Sequence, residues 1–551
     1  MTGQRSGSSK VAAGIAFSRV FGLIREVLIA ATFGISGAGD AFRYAMRIPN
    51  VIQNLLGEGA LGASFVPVYA KLIEERNESE ARRVAGGVLG LLSGAILLIV
   101  AVLVILADPI ISIFARGLVG ETHDLAVSLT RITAVGIGFL GISAWALAVL
   151  NSHRQYFLGY AAPALWNLAQ IILLGVVAII GLVANNGGPE TDTIAVWLAI
   201  AVVVGSVLQL GVMIPRVRVL TQGATPHLRR EGEVATVLRR FGPAVGARGV
   251  IQISSLIDGF LASFLAAGAL STIALALPLY LLPISVFGFS VATAELTEMS
   301  RRSDQASVVA GRVQLGLRKV SLAAGLSAAV LFFGGRAIAA TLYQWPNEIL
   351  GRSSISSDDS IVLGWTLAAY ALALPAAMSA RVTQNALYAL GEVSKPARIA
   401  VIRVVVTIVV AVLVIFQADR ITVIDGVMSG WSDLGSWPLW DPLSEDIRTD
   451  KTITRAGPIG LGLAALVSAW VEWILLRRAL ETKIGTSAKS GLALPIFAAA
   501  FAAGIVIWSI QVWLPLGAPI EGMVIGGAAL VTYIGLLRFQ GFRPRTSPRG
   551  S

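Results

Sequence analysis

Cysteine is absent from all 551 residues, which excludes disulfides and thiolate metal sites. Histidine is nearly absent too: His123, His153 and His227 are scattered over expected loops, so no metal cluster is expected. Gly-x-Ser-x-Gly, Walker and His-Glu-x-x-His patterns are missing, and no expected loop is long enough for a nucleotide-binding domain. The chain therefore reads as a non-enzyme with no catalytic residue, no metal and no cofactor. Charge is scarce as well, at 14% of residues against 55% hydrophobic, which excludes an ordinary soluble protein. The apolar runs lack the ten-residue alternation of a membrane β-barrel. No small-residue cleavage site precedes Arg19, so no cleaved signal peptide is expected.

What the chain has in abundance is apolar runs of about 20 residues, each long enough to cross roughly 30 Å of hydrocarbon as a helix. They fall at about 11–34, 41–66, 85–107, 124–150, 158–184, 193–214, 241–267, 273–299, 314–335, 361–391, 397–416, 457–476, 490–512 and 519–537. The expected fold class is an all-α polytopic membrane protein with about 14 transmembrane helices. With the N-terminus placed inside, and Arg318, Lys319, Arg398 and Arg403 at the inner ends of their spans counted with the adjoining loops, the cytoplasmic segments hold 29 of the 43 Lys and Arg residues, the outer loops 7 and the spans 7. That asymmetry predicts both termini in the cytoplasm of a multi-pass bacterial inner-membrane protein. It also accounts for the net charge of +11 without nucleic acid.

A faint internal repeat links Ala70–Glu75 to Ala294–Met299 and Val84–Val88 to Val309–Val313, 224 and 225 residues apart. Both copies follow an even-numbered span, which predicts two pseudo-symmetric six-helix lobes of like topology plus two C-terminal helices. The expected organisation is a cytoplasmic N-terminus at 1–10, an N-lobe at 11–214, a basic linker at 215–240, a C-lobe at 241–476, two further helices within 477–537, and a basic tail at 538–551. Within the C-lobe, 417–456 forms an outer insertion with Trp431, Trp437 and Trp440. Its length and composition suit a small helix or hairpin at the interface, or a docking place for envelope-assembly partners.

Span 2 carries a line of polar residues. Asp40, Arg43, Arg47, Asn50, Asn54 and Glu58 recur at steps of three or four, so helical geometry stacks them on one face. A charge at the bilayer centre costs roughly 2.5 to 3.5 kcal/mol on insertion scales, so this face is expected to meet a wet cavity or a partner helix. Arg19, Arg25, Arg131, Arg248 and Arg381 add further cations within spans, and Glu26, Asp258, Glu295 and Glu472 add acids. Every intramembrane cation is Arg, whose planar fork suits phosphate and carboxylate, so an anionic ligand is expected.

At these residues the chain resembles a known family. Ser18-Arg-Val-Phe-Gly-Leu-Ile-Arg25, Asp40-Ala-Phe42, Ile48-Pro-Asn50 and Gly57-Glu-Gly-Ala60 leading to Phe65-Val-Pro67 are similar to the N-terminal signature of the MurJ/MviN lipid II flippases. Phe241-Gly-Pro243, Ala262-Ser-Phe264 and Tyr388 to Pro396 extend the likeness. The resemblance implies a multidrug/oligosaccharidyl-lipid/polysaccharide exporter fold with two lobes around a central cationic cavity. It also implies alternating-access transport of an undecaprenyl-pyrophosphate-linked peptidoglycan precursor, with the last two helices holding the lipid tail. Arg19 and Arg25 match the family's functional arginines, and Asp40, Asn50 and Glu58 match its polar positions in helix 2. Gln53 and Asn54 stand where the family often has a basic residue, and Ala274 to Leu279 where it typically has an Asp-Arg pair.

The expected function is therefore a lipid II flippase of the cell-wall pathway. Arg19, Arg25, Arg43, Arg47, Asn50, Arg248 and Arg381 are the candidate substrate contacts, and Glu26, Asp40, Glu58 and Asp258 the acidic or gating groups. The partners are a lipid-linked anionic substrate and the membrane, with coupling to the membrane potential or a monovalent ion. The alternatives are a flippase for another lipid-linked glycan and a non-transporting scaffold for envelope assembly.

Overall fold

The computed structural model describes residues 18, 20–56, 58–183, 189–300, 305–349, 355–392, 394–435, 440–450, 453–484, 494–514 and 517–540. The protein is an all-α polytopic membrane protein with one small sheet. Among the described residues, eleven helices are long and apolar enough to cross a membrane. Three further expected spans are not among these eleven. Residues 11–34 lie partly outside the described chain. In residues 41–66, residue 57 lies outside the described chain; the helical stretch before it bears Asp40, Arg43 and Arg47, and the stretch after it is 17 residues long. Residues 241–267 are too rich in Gly, Ser and charge.

The chain divides into two compact units, one running to Phe264 and the other starting at Leu265. The first contains α1 (20–33), α2 (Gly37–Leu56), α3 (Glu58–Glu74), α4 (Glu78–Ile105), α5 (Gly120–Ser152), α6 (Pro163–Val183), α7 (Thr191–Leu220) and α8 (Glu233–Ser263). The expected linker, 215–240, is mostly helical at both ends, and the helix that follows it stays with the first unit. Local chemistry sets the helix boundaries. Gly34, at φ 61°, donates its N–H to the Ala30 carbonyl at 2.8 Å and closes α1. Ser36 then caps α2 by accepting the Gly39 N–H at 3.2 Å, and Asp40 follows in the first turn, where the helix dipole favours a carboxylate.

The core of this unit is built on Phe65, Tyr69, Trp145 and Leu150, with Phe65 and Tyr69 stacked at 4.8 Å. The α7–α8 connection packs onto a glycine-lined groove of α4. There the His227 N–H donates to the Gly86 carbonyl at 3.2 Å, and His227 Nε2 bonds the Arg83 carbonyl at 2.9 Å. A Cβ at Gly90 would lie 2.3 Å from the His227 carbonyl oxygen, so this position needs glycine for the close approach.

The second unit contains α9 (Ala269–Pro283), α10 (Ser290–Ser300), α11 (Ala306–Ala339), α12 (Ser357–Ala371), α13 (Leu374–Ala389), α14 (Ser394–Ala418), α15 (Gly457–Ile484), α16 (Leu494–Trp513) and α17 (Ala518–Phe539). A π turn over Ile284–Phe289 joins α9 to α10. The two copies of the internal repeat occupy like positions, since Ala70–Glu75 ends α3 before the long α4 and Ala294–Met299 ends α10 before the long α11. Helices α16 and α17 pack on α11 through Ile496, Ala503 and Tyr533, and the Tyr533 hydroxyl donates to the Leu322 carbonyl at 2.8 Å.

The insertion at 417–456 folds into an antiparallel sheet of order β2-β1-β3, with β1 at Thr422–Ile424, β2 at Val427–Ser429 and β3 at Thr454–Arg455. The two-residue turn Asp425-Gly426 has positive φ at both positions, the geometry that matches strand twist in a tight hairpin. The Asp358 carboxylate at the start of α12 accepts both turn N–H groups, at 3.1 and 2.8 Å.

Beside the sheet, just after α14, Asp419 is buried at 1% exposure. One carboxylate oxygen accepts the Ala266 N–H at 3.1 Å, and Gly457 N–H, Arg455 and Arg448 also face it. Burial pushes this carboxyl up from 3.8 to about 7, against the opposing pull of the two arginines and the backbone donors. The folded chain thus holds a proton that the unfolded chain has already released. The stability this carboxyl contributes is full below its ordinary value of 3.8 and is lost as pH rises through about 7. Thermal unfolding followed from pH 5 to 8 should show the melting temperature falling with pH in the wild type. In Asp419→Asn it should fall less, and an identical slope in that variant would dismiss the assignment.

Candidate functional site

In the first unit, helices α1, α2 and α6 bring a set of polar side chains together. Arg25 on α1 donates Nη1–H to the Asn167 carbonyl oxygen at 3.0 Å and pairs through Nη2 with Glu26. Its guanidinium also sits 4.7 Å from the centre of the Trp166 ring, a cation–π distance. Asn167 is oriented for this role because its own amide N–H donates to the Pro163 carbonyl at 3.3 Å and the Ser18 carbonyl at 3.4 Å, leaving its oxygen for Arg25. Arg43 on α2 is within electrostatic reach of the same Glu26. Two arginines therefore share one carboxylate. Arg25 Nε and Arg43 Nε and Nη2 are buried and make no hydrogen bond. Buried N–H groups favour charge-assisted acceptors, so the chemistry of this set suits an anionic oxygen.

Arg47, one turn beyond Arg43, has a different environment. A Cβ on Gly259 of α8 would lie 2.7 Å from Arg47 Nε and 3.0 Å from Arg47 Cζ, so the Arg47 side chain approaches that glycine closely. The Tyr44 hydroxyl donates to the Gly259 carbonyl, with Asp40 and Arg47 as its charged neighbours. Arg43 and Arg47, one turn apart, thus stand in different surroundings, Arg43 near Glu26 and Arg47 against Gly259.

The other candidates are spread more widely. Asp40 is buried, Asp258 is half-buried beside Gly259, and Asn50 and Asn54 are exposed. Glu58 is the first described residue of α3, and residue 57 before it lies outside the described residues. The side chains of Glu58 and Arg248 and the whole of Arg19 lie outside the described residues.

The second unit contains a comparable set that helical spacing alone does not reveal. Glu472 of α15, 7% exposed at its side chain, pairs with Arg403 Nη1 of α14 at 2.8 Å. Arg381 of α13 is within electrostatic reach of both groups, donates to Gln384 at 3.2 Å, and stands 5.4 Å from the Phe289 ring centre. One acid again serves two arginines. Arg403 is a member the sequence reading counted with the loop cations, although it lies within α14. Elsewhere in this unit Glu295 pairs with Lys319 at 2.8 Å and Arg312 at 3.6 Å, a structural use of charge at the α10–α11 packing.

A family model described as "Lipid II flippase MurJ" matches residues 29–423. A lipid II flippase MurJ of Burkholderia cenocepacia is 31% identical over 400 residues, covering 71% of this chain and 74% of that protein. A probable lipid II flippase MurJ of Aquifex aeolicus is 28% identical over 395 residues, covering 71% and 73% of the two chains. A solved structure of lipid II flippase MurJ in an inward closed conformation superposes with TM-score 0.73 at 22% identity, covering 97% of this chain and 99% of that one. An inward-facing multidrug MATE transporter of the MOP superfamily has the same fold at TM-score 0.61 and 14% identity, covering 85% and 96%. The family match begins after Arg25 and Glu26 and ends before Glu472, while Arg43, Arg47, Asn167, Arg381 and Arg403 lie inside it.

Proposed function

Because this chain belongs to the lipid II flippase MurJ family, we propose that it carries lipid II from the cytoplasmic to the outer leaflet of the bacterial inner membrane by alternating access. The observation that carries the reading is the arginine pair around Glu26, with three buried N–H groups lacking acceptors. Arg25 and Arg43 bind the pyrophosphate, Arg47 extends the cationic surface of α2, and Glu26 holds Arg25 in place when no substrate is bound. Arg381, beside Arg403 and Glu472, is a second anion contact, in the other unit. Asp40, Asn50, Glu58, Asp258, Arg19 and Arg248 are polar groups of the same pathway. Trp166 and Asn167 position Arg25, and their part in the reading is structural.

The chain is a transporter, and its substrate is an anion. Moving negative charge outward across a membrane that is negative inside is downhill by about 2.3 kcal/mol per charge per 100 mV, so the membrane potential is the proposed driving force. Both termini lie in the cytoplasm on the strength of the Lys and Arg distribution. One feature favours a second reading, transport of another lipid-linked glycan: helix α9 is ALSTIALALPLYLLP, without a charged residue. Both readings are tested by depleting the resident lipid II flippase of a bacterium and supplying this chain. Restored growth and peptidoglycan synthesis support lipid II as the substrate. Lysis despite normal amounts of the chain in the membrane would transfer the assignment to a different glycan.

A further inference from the structure

In the second unit, the insertion end of α11, α12 and α16 encloses a pocket of about 410 Å³. Its walls are Phe333 on α11, Trp365 on α12, Trp508 on α16, and Gly426 at the tip of the β1–β2 hairpin, with Arg336 and Gln511 as the polar members. Close helix contact closes its floor, where a Cβ on Gly335 would lie 2.8 Å from the Gly364 carbonyl oxygen. The hairpin wall is fixed by the two N–H bonds to Asp358.

The chemistry of this lining is amphipathic. Trp365 and Trp508 are 50% and 56% exposed, as befits tryptophans at the boundary between hydrocarbon and headgroups. Arg336 is exposed at the pocket, Gln511 Nε2 is buried without a hydrogen bond, and among the described residues no acid lines the walls. Glu521 of α17 is within electrostatic reach of Arg336 but forms no ion pair with it among the described residues. A guanidinium and an amide donor at one end of an aromatic slot call for a ligand with an anionic oxygen cluster and an apolar body.

We propose that this pocket binds an anionic phospholipid of the leaflet on the insertion side, with its phosphate on Arg336 and Gln511 and an acyl chain against Phe333 and Trp508. The hairpin of the insertion then serves as a wall of a lipid site. The site is separate from the arginine sets assigned to the transported substrate, since neither Glu26 nor Glu472 nor any of their arginines lines it.

The test uses the full chain in phosphatidylcholine vesicles containing a trace of phosphatidylglycerol with a photoreactive diazirine in its acyl chain, followed by peptide mass spectrometry. Label is expected on the segments carrying Phe333 and Trp508. Arg336→Gln should lower it roughly tenfold, the loss of one charge-assisted contact. Arg336→Lys, which keeps the positive charge at this exposed position, should retain most of it. Excess undecaprenyl pyrophosphate should leave the labelling unchanged. Absence of label on these segments, equal labelling of Arg336→Gln, or displacement by undecaprenyl pyrophosphate would each overturn the proposal, the last by returning the pocket to the transported lipid.

Discussion

Arg25→Ala is expected to abolish rescue of a flippase-depleted strain while the protein remains in the membrane at wild-type amounts. The side chain makes one bond to Asn167, one ion pair with Glu26 and a ring contact with Trp166, and it is 16% exposed. Loss of one charge-assisted contact to a bound anion costs about 1.5 to 3 kcal/mol, a roughly 10- to 100-fold loss of substrate affinity. Arg25→Lys should fall between, because an ammonium keeps the charge but loses the fork and the ring stacking. Arg43→Ala should show the same direction, since Glu26 would then be fully matched by Arg25 and the spare donors removed. Rescue at wild-type level by Arg25→Ala, with normal protein amounts, would remove Arg25 from the transport pathway.

Glu472→Ala should act mainly on stability. It leaves Arg403 without its 2.8 Å partner and Arg381 without the acid in its field. Removing one partner of a buried ion pair costs about 3 to 5 kcal/mol, because the remaining charge is left uncompensated. A large drop in the melting temperature of the detergent-solubilised protein is the expected readout. Replacing Arg403 by Leu in the same chain should restore much of the stability, since the orphaned charge is then gone. Transport should not recover if Arg381 and Glu472 act together on substrate. A melting temperature unchanged in Glu472→Ala would show that the pair is solvated and dispensable.

Periodicity and apolar length were enough to read the helical architecture, because a spanning helix must satisfy its backbone internally and present about 20 apolar residues. The polar residues of α2 were equally visible at steps of three and four. Their partners were not. Asn167 is 142 residues from Arg25, and Glu472 is 69 from Arg403, and no helical repeat encodes such tertiary pairings. A signal for the first existed in the run Trp166, Asn167 and Gln170, polar or amphipathic side chains near the start of an otherwise apolar helix. Arg403 follows Lys395 and Arg398 closely, so in sequence it reads with the loop cations, although it lies within α14. The hairpin in the insertion was within reach of local rules, with Asp425-Gly426 between Thr-Val-Ile and Val-Met-Ser, a strong turn pair flanked by strand-forming residues.

The pattern of one glutamate shared by two arginines occurs in each unit, with Glu26 in the first and Glu472 in the second. A balanced pair would be internally satisfied, whereas an excess arginine keeps N–H groups available for an anion. Charge balance therefore separates these sets from the Glu295 cluster, where Arg312 also pairs with Glu298 at 3.3 Å, so that two acids meet two cations at a helix packing contact.

The central claim is that this chain moves lipid II between leaflets. It is tested most directly in proteoliposomes loaded with lipid II, by following access of the sugar-peptide head to a membrane-impermeant probe after a potential is imposed. Potential-dependent exposure of the head is expected with the wild-type chain, and little exposure with Arg25→Ala. Exposure no faster than in protein-free vesicles, or equal rates with and without Arg25, would contradict it.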